Sequence, residues 1–261
     1  MKKDDAIMSE LETASPDSVG ITGEPMSRRR VVGQLAKLGA GLALMAVPAA
    51  FIATPRRAYA GAYSRQDIIA VLNFALTLEY LEDEFYKMGL AAATLIPAAD
   101  RTIFLQIGKH ETAHVNLLKS LLGSSAVAKP TFDFTASGTF ADVFTNYNTF
   151  LALSQGFEDT GVRAYKGQAP DLMSDDAALT TALRIHSVEA RHACEVRRLR
   201  GQKGWITFSN TDVSALAAVY AGENNQIQGG VDVGASAAAS EAFDEPLTMS
   251  AVLAIADPFI V

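Results

Sequence analysis

Two stretches of this chain carry the same arrangement at helical spacing, Glu111-x-x-His114 in "KHETAHVNL" and Glu189-x-x-His192 in "SVEARHACE". Each is preceded at nearly the same distance by a lone glutamate: Glu79 lies 32 residues before Glu111, and Glu158 lies 31 residues before Glu189. The surroundings repeat too, because Tyr86-Lys87 follows Glu79 and Tyr165-Lys166 follows Glu158, each after seven residues. With thirteen Glu and four His in 261 residues, chance supplies about 0.2 Glu-x-x-His occurrences. The two halves therefore look like copies of one helical hairpin.

Residues three apart on a helix share a face, so each Glu-x-x-His pair converges on one point. Two facing hairpins bring four carboxylates and two imidazoles into a single interior. Four ionised Glu buried together without cations would cost many kcal/mol or be forced to protonate. Two divalent ions cancel that charge. Most glutamates are solvated, but Glu79, Glu111, Glu158 and Glu189 all lie among apolar helix-face residues and repeat in register. A mixed carboxylate and imidazole set suits iron or manganese better than a thiolate-selected metal.

Apolar periodicity predicts four long helices, at about 64–89, 100–122, 139–167 and 175–200, with almost no strand signal. Asp100, Asp175 and Asp176 stand where N-caps belong, and Gly123, Gly167 and Gly201 where helices should stop. Short connections containing Pro97 and Pro170 make two antiparallel hairpins, and the longer "GSSAVAKPTFDFTASG", with "TFDFT" extended, can run the height of a bundle. The fold class is thus all-α, a four-helix bundle with a long crossover over 61–204. Residues 205–261 form an extension too poor in apolar residues to fold alone, expected to pack on the bundle through Phe243, Leu247, Val252 and Phe259 and to end in a further helix.

Residues 1–60 read differently. "SRRRVV" precedes an uncharged run, and "RRAYA" ends at Ala60, which together give the basic region, apolar region and A-x-A site of an export signal. Ser27, Arg28 and Arg29 followed by Val31 and Val32 resemble the twin-arginine class, with cleavage expected after Ala60. The apolar run from Leu38 to Ala53 is sixteen residues, short of the ~20 that span a bilayer, so membrane contact is expected only through the uncleaved signal. Without that segment 14 basic residues face 23 acidic ones, a formal charge of −9 that disfavours nucleic acid as a partner. Cys194 is the single cysteine, so no intrachain disulfide is possible; it reads as a small buried apolar residue.

The order Glu79, Glu111-x-x-His114, Glu158, Glu189-x-x-His192 resembles the ferritin-like di-iron carboxylate superfamily. "NFALTLEYLEDEFY", "FEDTGVRAY", "AGENN" and "AFDEPLT" look like the bacterial ferritin-like family that includes the desiccation-related proteins. The resemblance covers about residues 64–261. It implies a ferritin-like bundle with two iron ions, alternatively manganese, bridged by Glu111 and Glu189. Glu79 and Glu158 would be terminal carboxylates, and His114 and His192 would each complete one metal.

The expected function is that of an exported, periplasmic metal protein, redox-active toward O2 or peroxide in stress protection and delivered by the twin-arginine machinery, which carries folded, cofactor-loaded proteins. The alternative is a non-enzymatic desiccation or envelope protein in which the metals are structural or absent. Glu82, one turn from Glu79, is expected to be solvated or to support a ligand, since its counterpart in the other half is Gly161. Tyr86 and Tyr165 either hydrogen-bond the ligands or carry redox chemistry, or simply pack with a satisfied hydroxyl. His110 and His186 occupy non-equivalent positions and are excluded as ligands.

Overall fold

A computed structural model describes residues 64–261. The export segment read from residues 1–60 lies outside the described residues. Four long helices form the bundle: α1 (Arg65–Ala91), α2 (Arg101–Leu122), α3 (Tyr147–Gln168) and α4 (Asp176–Leu199). α1 packs along α2 and α3 along α4, and the two hairpins meet chiefly through α1 and α3. No described helix is long and apolar enough to cross a membrane.

Local chemistry sets the helix ends. At α1, Ser64 and Asp67 form a reciprocal capping box, in which Asp67 N–H donates to Ser64 Oγ at 3.3 Å and Ser64 N–H donates to Asp67 Oδ2 at 2.7 Å. At α4, Asp175 Oδ1 accepts from the amides of Ala177 and Ala178. Asp100 stands at the predicted N-cap of α2 but makes no capping bond; its carboxylate instead accepts from the Tyr147 hydroxyl at 2.8 Å. Gly123 and Gly201 end their helices with φ of 55° and 70°, as predicted. Gly167 does not end α3. It lies inside the helix where the backbone of Leu247 presses close, so that a Cβ there would fall 1.9 Å from the Leu247 carbonyl oxygen.

α3 begins at Tyr147 and not near residue 139. Asp133 accepts the amides of Thr135 and Ser137, and Ala136, Ser137 and Gly138 then take positive φ, which no right-handed helix tolerates. Phe140 and Val143 keep their buried positions from a series of turns. The extended expectation for "TFDFT" holds for its first half: Asp133 N–H donates to Phe259 O, Val261 N–H donates to Thr131 O, and Phe132 pairs with Ile260.

The C-terminal extension contains a 3-10 turn (Ser214–Tyr220), a two-residue hairpin of β1 (Ile227–Gln228) and β2 (Val231–Asp232), and the short helices α5 (Ala237–Ser240) and α6 (Met249–Ala256). Leu247, Val252 and Phe259 are buried against the bundle as expected, whereas Phe243 is 39% exposed. Arg163 of α3 holds the extension down. Its guanidinium is buried, lies 2.8 Å from Glu223 Oε1, and donates to the carbonyls of Val219, Ala221 and Glu245. Leu247 N–H donates in turn to Arg163 O. "FEDTGVRAY", "AGENN" and "AFDEPLT" thus meet around one cation. A second buried pair, Arg197 with Asp159, is joined by the Tyr220 hydroxyl, which donates to Asp159 Oδ2 at 2.8 Å.

Two apolar clusters fill the bundle. One is aromatic, built on Phe85, Phe104, Phe150 and Phe157; the other is aliphatic, built on Leu76, Leu118, Leu172 and Ile185. On α2 the aromatic cluster ends at Ile107 and the aliphatic one resumes at Val115; on α4 the gap runs from Ile185 to Val196. Glu111, His114, Glu189 and His192 occupy those gaps.

Candidate metal centre

All six residues expected from the repeat converge between the two clusters. Glu79, Glu111, Glu158 and Glu189 are fully buried, and His114 and His192 nearly so. Their donor atoms form two quartets, Glu79–Glu111–His114–Glu189 and Glu111–Glu158–Glu189–His192, each with its atoms within 4.8 Å of one another. Glu111 and Glu189 belong to both.

The atoms crowd in a way that a single proton cannot satisfy. Around His114 Nδ1 stand Glu111 Oε2 at 3.0 Å, Glu189 Oε1 at 3.1 Å and Glu79 Oε2 at 3.2 Å. Around His192 Nδ1 stand Glu111 Oε1 at 2.8 Å and Glu158 Oε2 at 3.2 Å. One N–H serves one acceptor well. Glu111 Oε1 and both oxygens of Glu189 accordingly have no aligned hydrogen bond, although they are buried. Such orphaned carboxylate oxygens call for a cation, and the donor set fits two oxygen- and nitrogen-loving divalent ions.

The lone glutamates are steadied from the opposite half. Tyr86 on α1 donates its hydroxyl to Glu158 on α3, and Tyr165 on α3 donates to Glu79 on α1. Burial, followed by the charge of its partner carboxylate, pushes each phenol well above its ordinary value. Both therefore remain protonated and can donate at any physiological pH.

Glu82 is only 3% exposed and faces the cluster, which excludes the solvated one of the two positions expected for it. His110 is absent from both quartets, as expected, yet its Nδ1 lies 2.8 Å from His192 Nε2 and the two rings stack at 5.1 Å. It fixes the ring whose other nitrogen faces Glu111 and Glu158. His186 lies away from the cluster, with its Nε2 buried and unpartnered among the described residues. Cys194 is half-buried against Gly204 instead of fully enclosed and takes no part.

α2 and α4 touch less closely than the other neighbouring pairs, α1 with α2, α3 with α4 and α1 with α3. Between them opens a cavity of about 550 Å³, lined by Ile103, Gln106, His110, His114, Arg191 and His192 among others. It reaches both imidazoles from solvent.

Without metal, the cluster balances itself with protons. Burial alone would lower the imidazoles, but the surrounding carboxylates outweigh it, raising His114 far above its ordinary range and His192 to about 11. Burial likewise raises Glu111, yet the two histidines overcome it and hold that carboxyl at about 2. Burial pushes Glu79 up to about 7 and Glu189 well above the usual carboxylate range. The native state thus binds more protons than the unfolded chain through Glu79 between pH 4.5 and 7, and through His192 between 6.5 and 11. Both losses have the same sign, so the chelator-treated protein is expected to lose melting temperature steadily from pH 5 to pH 9. Below pH 4.5 Glu111 reverses the trend, because its stabilising contribution fades as pH falls toward 2. Melting curves of the metal-free protein across this range check the expectation, and a flat or rising profile from pH 5 to 9 would contradict it.

A four-helix bundle whose interior carries a buried, doubly shared carboxylate and histidine cluster defines a class of helical proteins built around a metal-competent centre. Within that class this chain belongs to the ferritin-like domain family, whose model matches residues 67–202. No match is found among curated proteins.

Proposed function

We propose that the protein binds two iron or manganese ions that are redox-active toward O2 or peroxide, as an exported protein of the desiccation-related type acting in stress protection. The observation that carries this reading is the pair of quartets sharing Glu111 and Glu189. Glu79 and His114 would hold one ion, Glu158 and His192 the other, and the two shared carboxylates would hold both. When bound, the metals would supply the oxidant-binding positions and the electrons that the side chains lack.

The chain's own residues supply the rest. The crossed hydroxyls of Tyr86 and Tyr165 aim the terminal carboxylates. His110 orients His192, and the cavity beside it admits a molecule as small as O2 or a peroxide. The apolar clusters on either side exclude bulk water, which strengthens every charge interaction at the centre. The arginine motif and A-x-A site of residues 1–60 support delivery by the twin-arginine route to the periplasm, after loading in the cytoplasm.

Elemental analysis after anaerobic loading with Fe(II) or Mn(II), followed by mixing with O2 or H2O2 under spectroscopic observation, tests the proposal. Two metals per chain and a spectral change on mixing are expected. Fewer than one metal per chain would refute it, and full loading without any redox response would favour a structural role for the ions.

A further inference from the structure

We propose that Glu82 is a fifth carboxylate ligand of this centre, standing on the Glu189 side, and that glycine at position 161 exists to make room for it. The inference rests on the metal-binding reading above.

The repeat equates position 82 with position 161, just as it equates Glu79 with Glu158 and Tyr86 with Tyr165. The two equivalent positions look toward one spot. A Cβ added at Gly161 would come within 3.1 Å of Glu189 Oε2 and 3.4 Å of Glu82 Oε1. A longer side chain there would displace the Glu82 carboxylate, so only one of the two positions can carry an acid. The chain has kept it on α1.

Glu82 does not have the environment of an idle acid. It is buried, and the charges that bear on it most are those of Glu189, Glu158, Glu79 and Glu111, all of the same sign. Its neighbour Glu189 is fully buried with both oxygens unpartnered. Glu189 Oε2, buried and without a hydrogen-bond partner, and Glu82 Oε1 thus both lie within 3.4 Å of one point beside Gly161. Repulsion of that kind is relieved by a cation lying among them.

The chemical consequence is asymmetry. Four carboxylates balance two divalent ions, while a fifth leaves one surplus negative charge. Glu82 therefore favours a higher total metal charge and makes the two metal positions unlike.

Two measurements, on the full-length protein and its Glu82→Ala, Glu82→Gln and Gly161→Ala variants, test this. In Mn(II) titrations the wild type is expected to take two ions, and Glu82→Ala to take the second with a Kd raised at least tenfold. Glu82→Gln, which preserves shape, is expected to weaken the same ion, and Gly161→Ala to shift it in the same direction by less. An anomalous-diffraction structure of the Mn-loaded protein should show a Glu82 oxygen at about 2.0–2.6 Å from one ion. A Glu82 carboxylate beyond that reach of both ions, or Kd values for both Glu82 variants within twofold of wild type, would overturn the inference. If the wild type itself binds fewer than one ion, it is the metal-binding reading that fails.

Discussion

Glu111→Ala is expected to lower occupancy of both metal positions together, by at least a hundredfold in affinity at each, while Glu79→Ala and Glu158→Ala each weaken one position and spare the other. The expectation follows from the shape of the site. Glu111 turns one oxygen toward His114 and the other toward His192, at 3.0 and 2.8 Å. Glu79 approaches only His114, and Glu158 only His192. Losing a shared ligand removes a bond from each ion and half of the negative charge common to both, an effect beyond the ten- to hundredfold typical of groups that merely support a ligand. Metal stoichiometry and stepwise affinities for the three variants decide the matter. A Glu111→Ala protein that still binds one ion with wild-type affinity would show that Glu111 serves a single position.

The second large effect is expected far from the metals. Arg163→Met should destabilise the protein by about 3–5 kcal/mol, the usual consequence of removing one partner from a buried ion pair. For a domain of this size that corresponds to a fall in Tm of roughly 10 °C. Methionine preserves most of the volume but abandons Glu223, already held up at about 7 by burial, together with three carbonyl acceptors. The double variant Arg163→Met, Glu223→Gln is expected to regain part of the loss, since the stranded acid is then neutral. Limited proteolysis should cut first within residues 205–245 in the single variant. A Tm within 2 °C of wild type would show that apolar contacts of Leu247, Val252 and Phe259 suffice to hold the extension.

How much of this was legible in the sequence depends on whether a feature lives within one helix or between helices. The six clustered residues were legible because helical periodicity fixes which side chains share a face, and the repeat at 31 and 32 residues fixed how the faces correspond. The capping role of Asp175 and the ends at Gly123 and Gly201 were equally local. The burial of Glu82 was not legible because it depends on an absence on another helix, the missing side chain at Gly161. His110 was set aside for breaking the repeat, yet its contact with His192 spans 82 residues and depends on the spacing of α2 and α4. Gly167 looked like a helix stop, but its reason lies in the Leu247 backbone, eighty positions along the chain. The late start of α3 has a local cause, the turn at Asp133, which apolar periodicity alone did not reveal because Phe140 and Val143 stay buried in either conformation.

The crossed tyrosines carry a consequence for assembly. Neither hairpin contains the hydroxyl that its own lone glutamate accepts, since Tyr86 serves Glu158 and Tyr165 serves Glu79. A hairpin that folded by itself would leave its phenol and its carboxylate to water, each without its mate, so docking can bury these groups only if both crossed bonds form. Docking and completion of the centre are then one cooperative event, and a misdocked pair would be penalised at two mirrored points at once. The reciprocity works as a proofreading contact: the two halves of the chain recognise each other through the groups that they lend.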